Sequence, residues 1–314
     1  MAKKQKIFFR DVSGILLLNK PLGLSSNAAL QRARYLFRAK KAGHTGSLDP
    51  QATGVLPLCF GEATKVSGYL LNSDKRYITT VQLGQTTTTG DTEGEILTSI
   101  PVTKISDKTL QHVLDQFTGD IVQIPPMYSA LKHNGTPLYK LARQGIEIKR
   151  KQRHITIYTL TLLQRTTNTL VLDIRCSKGT YIRTLAQDIG DALGFGAHIT
   201  ALQRTEVSPF DCSITYSLDA LQQLSEEDSQ TPKTPNPKKL DSLLLPIDSA
   251  LIHYPKIILN DEESNRIKTG LKVARDDIPN ASLIRLYQQS NQFIGIGRLS
   301  SDNLLAPKRM MRTN

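Results

Sequence analysis

The sequence has few of the residues that build disulfide frameworks, metal clusters or membrane spans. Its three cysteines, Cys59, Cys176 and Cys212, are odd in number and widely spaced, without a Cys-x-x-Cys pair. This disfavours a disulfide framework and a metal site such as zinc, and fits a reducing cytoplasm. The best apolar run, residues 15–18, is far shorter than the roughly 20 residues that a membrane helix needs, and no signal peptide follows the basic N-terminus. We therefore expect a cytoplasmic protein without a membrane partner.

Phosphate-binding glycine motifs are also missing. No stretch has the form G-x-x-x-x-G-K-[ST], so the glycines do not indicate a nucleotide-binding loop. Apolar residues make up 39% and charged residues 22% of the chain, which is enough to form a core and disfavours wholesale disorder. A length of 314 residues suggests about two domains.

Positive charge is in excess and is concentrated in three clusters. Lys and Arg number 40 against 28 Asp and Glu, a formal charge of +12. Residues 1–41 hold ten basic side chains and one acid, residues 132–153 hold seven and one, and the last cluster is Lys308, Arg309 and Arg312. A single cluster is often a solvated face, but three together favour a nucleic-acid surface. A large polyanion is the expected partner.

Hydrophobic periodicity predicts an α+β fold. Alternating residues 76–83 predict a half-buried strand, and residues 155–163 and 170–176 predict a strand pair. Apolar residues at helical spacing predict helices that include residues 110–117 and 181–193. Because strands and helices alternate irregularly, a mixed, mostly antiparallel sheet with flanking helices is favoured over a doubly wound one.

A break in composition divides the chain. Residues 225–241 (SEEDSQTPKTPNPKKLD) contain three prolines, one apolar residue and no aromatic, which predicts a mobile linker or surface insertion. We assign residues 225–245 to this linker, 1–224 to an N-terminal domain and 246–314 to a small all-β module.

One carboxylate lies on a loop bounded by glycines, within residues 43–65 (GHTGSLDPQATGVLPLCFGEATK). Gly46 and Gly54 permit sharp turns, and Pro50 keeps Asp49 out of helical geometry. An aspartate before proline is more often a turn-former than a catalytic group, and the spacing leaves both interpretations open.

Arg183 lies in the first turn of the predicted helix 181–193, where the helix dipole favours acids over bases. A half-buried arginine at this position needs a carboxylate partner. Alternatively, its aliphatic stem covers the core and its head reaches water.

Five stretches closely resemble the TruB-type tRNA pseudouridine synthases, in order and at family-like distances across residues 14–210. They are LLLNKPLGLSSN (16–27), AKKAGHTGSLDPQATGVLPLCFGEATK (39–65), KRYITTVQLGQTTTTGDTEGE (75–95), QIPPMYSALKHNGTPLYKLARQGIEI (123–148) and CSKGTYIRTLAQDIGDALGFGAHITALQRT (176–205). The C-terminal residues, with GIG at 295–297 and LLAPKR at 304–309, more loosely resemble the PUA-like RNA-binding module of this family.

The resemblance implies a pseudouridine-synthase catalytic domain that isomerises the T-loop uridine of tRNA, position 55 by convention, to pseudouridine. The N1–C1′ bond breaks, the uracil turns, and C5 joins C1′, without metal or other cofactor. The implied partner is the tRNA T-arm, with no obligate protein partner. Two alternatives stay open: a non-catalytic tRNA-binding or chaperone protein, and a guide-RNA-dependent pseudouridine synthase that acts on ribosomal RNA.

The resemblance also implies roles for single residues. Asp49 matches the catalytic aspartate, Arg183 the arginine that pairs with it and lowers its pKa, and Tyr77 the tyrosine that stacks on the target base. Substrate binding is implied for residues that line the uracil pocket, fill the space of the flipped nucleotide or support the loop: Tyr181, Leu202, His44 and Lys20. Basic residues of the first two clusters are expected to contact the RNA backbone, the second cluster within a segment, 123–153, that closes over the T-arm: Arg32, Arg34, Arg38, Lys40, Lys41, Lys132, Arg143, Lys149 and Arg150.

Overall fold

A computed structural model describes residues 8–226 and 237–312, which form a large sheet, a small sheet and two short hairpins with helices packed on them. The N-terminal part contains, in chain order, β1 (Gly14–Lys20), α1 (Ser26–Leu36), β2 (Ala42–His44), β3 (Ala52–Phe60), α2 (Ser67–Leu71), β4 (Lys75–Leu83), β5 (Gln85–Thr87), β6 (Ile96–Ser99), α3 (Asp107–Gln116), β7 (Gly119–Gln123), β8 (Lys132–His133), β9 (Thr136–Pro137), α4 (Leu138–Ala142), β10 (Arg153–Arg165), β11 (Thr169–Cys176), α5 (Ile182–Ala192), β12 (Ala197–Val207), β13 (Phe210–Asp211), α6 (Leu218–Glu226) and α7 (Lys238–Asp241). The C-terminal part contains β14 (Lys256–Leu259), α8 (Asp261–Lys268), β15 (Ile284–Gln288), β16 (Phe293–Leu299) and β17 (Leu305–Met310).

The large sheet has the strand order β1-β3-β12-β4-β11-β10-β7, with β2 beside β3 and β13 beside β12. Only the β12–β3 pair is parallel, so the prediction of a mixed, mostly antiparallel sheet is confirmed. The alternation predicted for β4 is present: Thr79, Val81 and Leu83 are buried on one face. Helices α3 and α5 pack on that face, around one hydrophobic cluster with β10, β11 and β12.

Serine side chains cap two helix starts. The Ser25 hydroxyl accepts a hydrogen bond from the Ala28 N–H at the start of α1, and Ser106 does the same for Thr109 at the start of α3. A 3₁₀ turn (Gly61–Lys65) precedes α2.

The C-terminal module is built on the four-stranded sheet β14-β15-β16-β17, with one helix, α8, that the sequence reading did not predict. The module shares a hydrophobic cluster with the outer face of β1: Ile15 and Leu17 pack in the same cluster as Leu283, Ile296 and Met311. Two polar contacts flank this cluster. The Lys65 ammonium donates to the Met310 carbonyl (2.8 Å), and the Arg312 N–H donates to the Glu62 carboxylate (2.7 Å).

The second half of the predicted linker packs on the N-terminal part of the chain. In α7, Leu240 is fully buried against the core that α1 and α6 share. Leu245 and Ile15 exchange two backbone hydrogen bonds, of 2.9 and 2.8 Å. Apolar side chains thus anchor residues 237–245 in a charged stretch; residues 227–236 lie outside the described residues.

No helix within residues 8–226 and 237–312 is long and apolar enough to cross a membrane. In the same ranges, no three His, Cys, Asp or Glu side chains are grouped so that they could hold a metal ion.

Candidate active site

A cleft of about 870 Å³ opens beside β4, β12 and the start of α5. It is lined by five of the residues for which the resemblance implies catalysis or substrate binding: Asp49, Tyr77, Tyr181, Arg183 and Leu202. These residues come from four separate parts of the chain, and the sheet brings them together. Tyr77 and Leu202 stand on the neighbouring strands β4 and β12, whereas Tyr181 and Arg183 lie at the N-terminus of α5.

The loop that carries Asp49 is held from both sides. The Ser26 hydroxyl bonds both the N–H (2.7 Å) and the carbonyl (2.9 Å) of Leu48. The Gly23 N–H donates to the Pro50 carbonyl at 2.9 Å, and the Ala52 N–H donates to the Asp49 carbonyl at 3.0 Å. The aspartate is thus presented at the edge of the cleft on a fixed turn.

Lys20 supports the same turn from beneath. It is fully buried, and its ammonium donates to the carbonyls of Pro21 (2.8 Å), Leu24 (2.7 Å) and Pro50 (3.4 Å). Burial lowers the pKa of Lys20 to about 8, opposed by the attraction of Asp49. Lys20 does not line the cleft wall among the described residues, so its position fits a supporting role for the loop.

Arg183 is the centre of the acidic side of the cleft. Its guanidinium lies 2.9 Å from the Asp49 carboxylate and 3.6 Å from that of Asp91. It also donates to the carbonyls of Thr89 and Tyr128, both at 2.7 Å. This explains a 5% exposed arginine in the first turn of a helix: two carboxylates and two carbonyls replace its water.

The net effect on Asp49 differs from the sequence expectation. Partial desolvation in the cleft wall raises the pKa of Asp49, Arg183 lowers it, and Asp91 and Glu93 raise it further, so that the pKa stays above the ordinary value of an aspartate. The expectation of a lowered pKa is wrong because it considered only the arginine. The position of Asp49 in the cleft wall and the two neighbouring acids outweigh one cation.

Two tyrosines, Tyr77 and Tyr181, and one leucine, Leu202, also line the cleft. Burial raises the pKa of Tyr77 and of Tyr181, so both keep their phenol protons at neutral pH. The Gln123 side chain fixes Tyr181, since it accepts from the Tyr181 N–H (2.8 Å) and donates to its carbonyl (3.1 Å). Leu202 is the cross-strand partner of Thr79 and adds an apolar surface.

His44 lies behind the loop, on β2, and is not among the described residues that line the cleft. Burial, together with the charge of Arg204, lowers the pKa of His44. Its buried Nδ1 atom has no hydrogen-bond partner within the described ranges. His44 therefore lies outside the lining of the cleft in the described part of the chain, and its place in the space of the flipped nucleotide stays a prediction.

None of the nine basic residues expected on the RNA backbone lines the cleft wall in the described part of the chain. Several have local partners: Arg34 donates to the Ala39 carbonyl (3.0 Å), Lys40 pairs with Asp11 (2.7 Å) and Arg150 with Glu147 (3.0 Å). The cleft wall itself carries other basic residues, which the sequence reading did not single out: Lys75, Arg153, Lys178 and Arg204.

Asp91 and Arg204 are the site residues that sequence reasoning missed. Both lie in stretches that carry the family resemblance, 75–95 and 176–205, but nothing in the spacing separates them from ordinary surface charges. Asp91 is 4% exposed and Arg204 1%, and this burial distinguishes them from surface charges. Burial of a charged side chain depends on the tertiary fold and cannot be read from local sequence.

Comparison with known proteins agrees with this geometry. Three consecutive stretches match the TruB family pseudouridylate synthase N-terminal domain (residues 34–182), the tRNA pseudouridylate synthase B C-terminal domain (183–252) and the pseudouridine synthase II TruB C-terminal domain (255–311). The chain is 50% identical to tRNA pseudouridine synthase B of Stutzerimonas stutzeri (strain A1501) over 97% of both chains. It is 48% identical to the protein of the same name from Marinomonas sp. (strain MWYL1) over 98% of both.

Solved structures share the fold at lower identity. A Cbf5-Nop10-Gar1 complex contains a chain that superposes with a TM-score of 0.70 at 22% identity, over 95% of this chain and 84% of that one. An H/ACA RNP bound to a substrate RNA that contains 2′-deoxyuridine gives the same TM-score at 20% identity, over 96% and 85%. With about half of its residues identical over nearly the full length of such relatives, the chain belongs to the TruB family of pseudouridylate synthases.

Proposed function

We propose that this protein is an isomerase that converts the T-loop uridine of tRNA, at position 55, to pseudouridine. The observation that carries the proposal is the Asp49–Arg183 pair at the edge of a cleft whose walls include Tyr77, Tyr181 and Leu202. Full-length relatives that are about 50% identical carry the name tRNA pseudouridine synthase B. The substrate is a tRNA, and its T-arm is the part that we expect to enter the cleft.

The chemistry requires a carboxylate beside C1′ of the uridine. When the N1–C1′ bond breaks, C1′ becomes electron-poor, and an ionised Asp49 can attack or stabilise it. When C5 has joined C1′, the proton on C5 must leave, and a carboxylate can accept it. Both roles need the ionised form, which Arg183 favours against the burial that raises the pKa of Asp49.

The two tyrosines suit a base that has left its stack. Tyr77 and Tyr181 offer rings, and Leu202 an apolar contact, for a uracil that would otherwise be stacked in the folded T-loop. Extrusion of a stacked nucleotide costs a few kcal/mol, which phosphate contacts and stacking on aromatic side chains offset. We expect His44, at the end of β2, to occupy the space that the flipped nucleotide leaves.

The basic surfaces suit the phosphates of the same RNA. We propose that segment 123–153 and the cluster at 32–41 grip the T-arm, and that the module of residues 246–312 adds an RNA-binding surface. No step of this chemistry calls for a cofactor, and we expect the reaction to proceed in the cytoplasm without an obligate protein partner.

The two alternatives fit less well. A tRNA-binding protein without activity would not need a buried arginine between two carboxylates. A guide-RNA-dependent enzyme has no comparable support: the solved structures named above are 20–22% identical, a likeness of fold, whereas the relatives near 50% identity are named for tRNA.

The test is to map modified uridines in an unmodified tRNA after incubation with the wild-type protein, with Asp49→Ala and with the control Asp115→Asn, an exposed acid of α3. We expect pseudouridine at one T-loop position with wild type and control. Asp49→Ala should lose at least about 1000-fold in rate while its tRNA affinity stays within about twofold. Pseudouridine formation by Asp49→Ala at a comparable rate would refute the assignment.

A further inference from the structure

Arg204 is a buried cation in the wall of the cleft, and the proposed reaction assigns no role to it. It is 1% exposed, and among the described residues no carboxylate lies within ion-pair distance of its guanidinium. A buried charge without a counter-ion is costly, and an apolar residue of the same size would be cheaper for the fold. Its presence therefore needs an explanation beyond packing.

The contacts of Arg204 converge on the two parts of the catalytic apparatus. Its Nη2 donates to the carbonyl of Gly46 (3.0 Å), in the loop that carries Asp49, and its Nε donates to the carbonyl of Val55 (2.8 Å), on β3. In the sheet, Arg204 on β12 is the direct cross-strand partner of Tyr77 on β4, and both side chains line the cleft. The positive charge of the guanidinium also lowers the pKa of Tyr77 against the effect of burial.

The direction of a polar contact between these two cross-strand partners follows from the chemistry of arginine. A guanidinium has five N–H donors and no acceptor, so the Tyr77 oxygen must accept. Tyr77 then does not donate its phenol proton to Arg204, and this O–H is free to point into the cleft. If Tyr77 gives up this proton during the reaction, the same cation stabilises the phenolate.

We propose that Arg204 is a positioning residue for the isomerisation: it fixes the Tyr77 hydroxyl as an acceptor toward the protein and a donor toward the base, and it holds the Asp49 loop through Gly46. The inference rests on the proposed function. Arg204 acts through Tyr77 and the loop, not on the uridine itself.

The test is a double-mutant cycle in single-turnover reactions on unmodified tRNA, with Arg204→Lys, Tyr77→Phe and the double variant. Lysine keeps the charge but cannot reach the two carbonyls and the phenol with the same geometry. We expect each single variant to lose about 100-fold in rate, because a group that is misplaced by about 1 Å costs that much. The double variant should be within about threefold of the slower single one, since both changes break the same contact.

A merely structural role predicts a different pattern. In that case the losses multiply in the double variant, or the melting temperature and the tRNA affinity fall together with the rate; either result overturns the proposal. Arg175→Lys, at an exposed arginine on β11, is the matched control and should keep the wild-type rate. Tyr77→Phe leaves both carbonyl contacts of Arg204 intact, so its wild-type rate would refute the inference even if the Arg204 variants did not fold.

The same assay tests the proposed function and the role of Arg204 separately. Wild-type protein that forms no pseudouridine overturns the proposed function and this inference with it. Wild-type turnover, together with loss in Asp49→Ala and no loss in Arg204→Lys, overturns only the role of Arg204.

Discussion

Arg183 is 5% exposed, whereas the Asp49 carboxylate that it contacts at 2.9 Å is 46% exposed. The cation is fixed from behind by the carbonyls of Thr89 and Tyr128, and the anion faces the cleft. The pair is therefore asymmetric: the arginine is a permanent part of the wall, and the carboxylate is the partner that substrate can reach.

Arg183→Lys tests this asymmetry. The guanidinium contacts two carboxylates and two carbonyls, and the single ammonium of lysine cannot keep all four contacts. Asp49 should therefore be misplaced, and the rate should fall about 100-fold. The hydrogen bond from Arg183 lowers the pKa of Asp49, and lysine would not keep it in the same geometry. The pKa of Asp49, which partial desolvation already raises, should therefore rise further in this variant. Because the proposed chemistry needs the ionised form of Asp49, the acidic limb of the pH–rate profile should move to higher pH.

The matched control for this variant is Arg165→Lys, whose exposed partner Asp107 lies on the surface. Its pH–rate profile should coincide with that of the wild type. An unshifted acidic limb in Arg183→Lys would contradict the coupling between Arg183 and Asp49.

Lys20→Met tests the support beneath the loop. The substitution leaves the carbonyls of Pro21, Leu24 and Pro50 without a donor, and we expect a loss of about 1–3 kcal/mol in the free energy of unfolding. Because the turn at Pro50 carries Asp49, turnover should fall more than tRNA affinity. Urea unfolding and single-turnover rates measure the two effects; a stable variant with unchanged rate would exclude the supporting role.

The pH dependence of the same variant has a definite sign. The pKa of Lys20 is lowered to about 8 in the folded protein from an ordinary value of 10.5. Between these values the unfolded chain binds more protons than the folded one, so this group makes folding more favourable as pH rises. The difference in unfolding free energy between wild type and Lys20→Met should therefore widen from pH 8 toward pH 10.

Gly54→Ala tests the close approach of β3 and β12. Gly54 has a φ of 102°, and a Cβ there would lie 2.1 Å from the Arg204 carbonyl oxygen. The strand must move or the sheet must open, and we expect a loss of about 3 kcal/mol in unfolding free energy. The control is Gly68→Ala in α2, where no atom lies within 4 Å and helix propensity should improve by up to about 1 kcal/mol. Equal urea midpoints for the two variants would contradict this packing.

Lys149→Ala combined with Arg150→Ala tests the RNA surface of segment 123–153. Removal of two phosphate contacts should weaken tRNA binding and reduce the slope of log affinity against log salt by about 1 to 2. Lys104→Ala combined with Lys108→Ala removes two exposed charges near α3 and is the control for net charge. An identical salt slope in the two double variants would place the T-arm elsewhere.

Much of the fold follows from local sequence. The alternation of β4, the hairpin of β10 and β11 and the caps Ser25 and Ser106 are short-range features, and they were predictable. Helix α8 was missed because its sequence, DEESNRIK, is mostly polar and shows little of an apolar stripe. The anchor of residues 237–245 was hidden by the lysines and prolines around Leu240.

The site was predictable only in part. Asp49 and Arg183 stand out from local rules, as an aspartate on a glycine-bounded turn and a base in the first turn of a helix. That they meet, that Asp91 joins them, and that burial raises the pKa of Asp49 instead of lowering it depend on contacts between residues far apart in sequence. Such contacts leave no periodic signal in the chain.

Strand β1 connects regions that the sequence keeps apart. Ile15 and Leu17 on one face belong to the cluster with the C-terminal module, Leu16 and Leu18 on the other to the cluster with α1, and the strand ends at Lys20 beneath the Asp49 loop. The seven residues of β1 therefore pack against the C-terminal module and the α1 core at the same time, and the last of them supports the Asp49 loop. The packing of the module and the position of the loop thus depend on one strand.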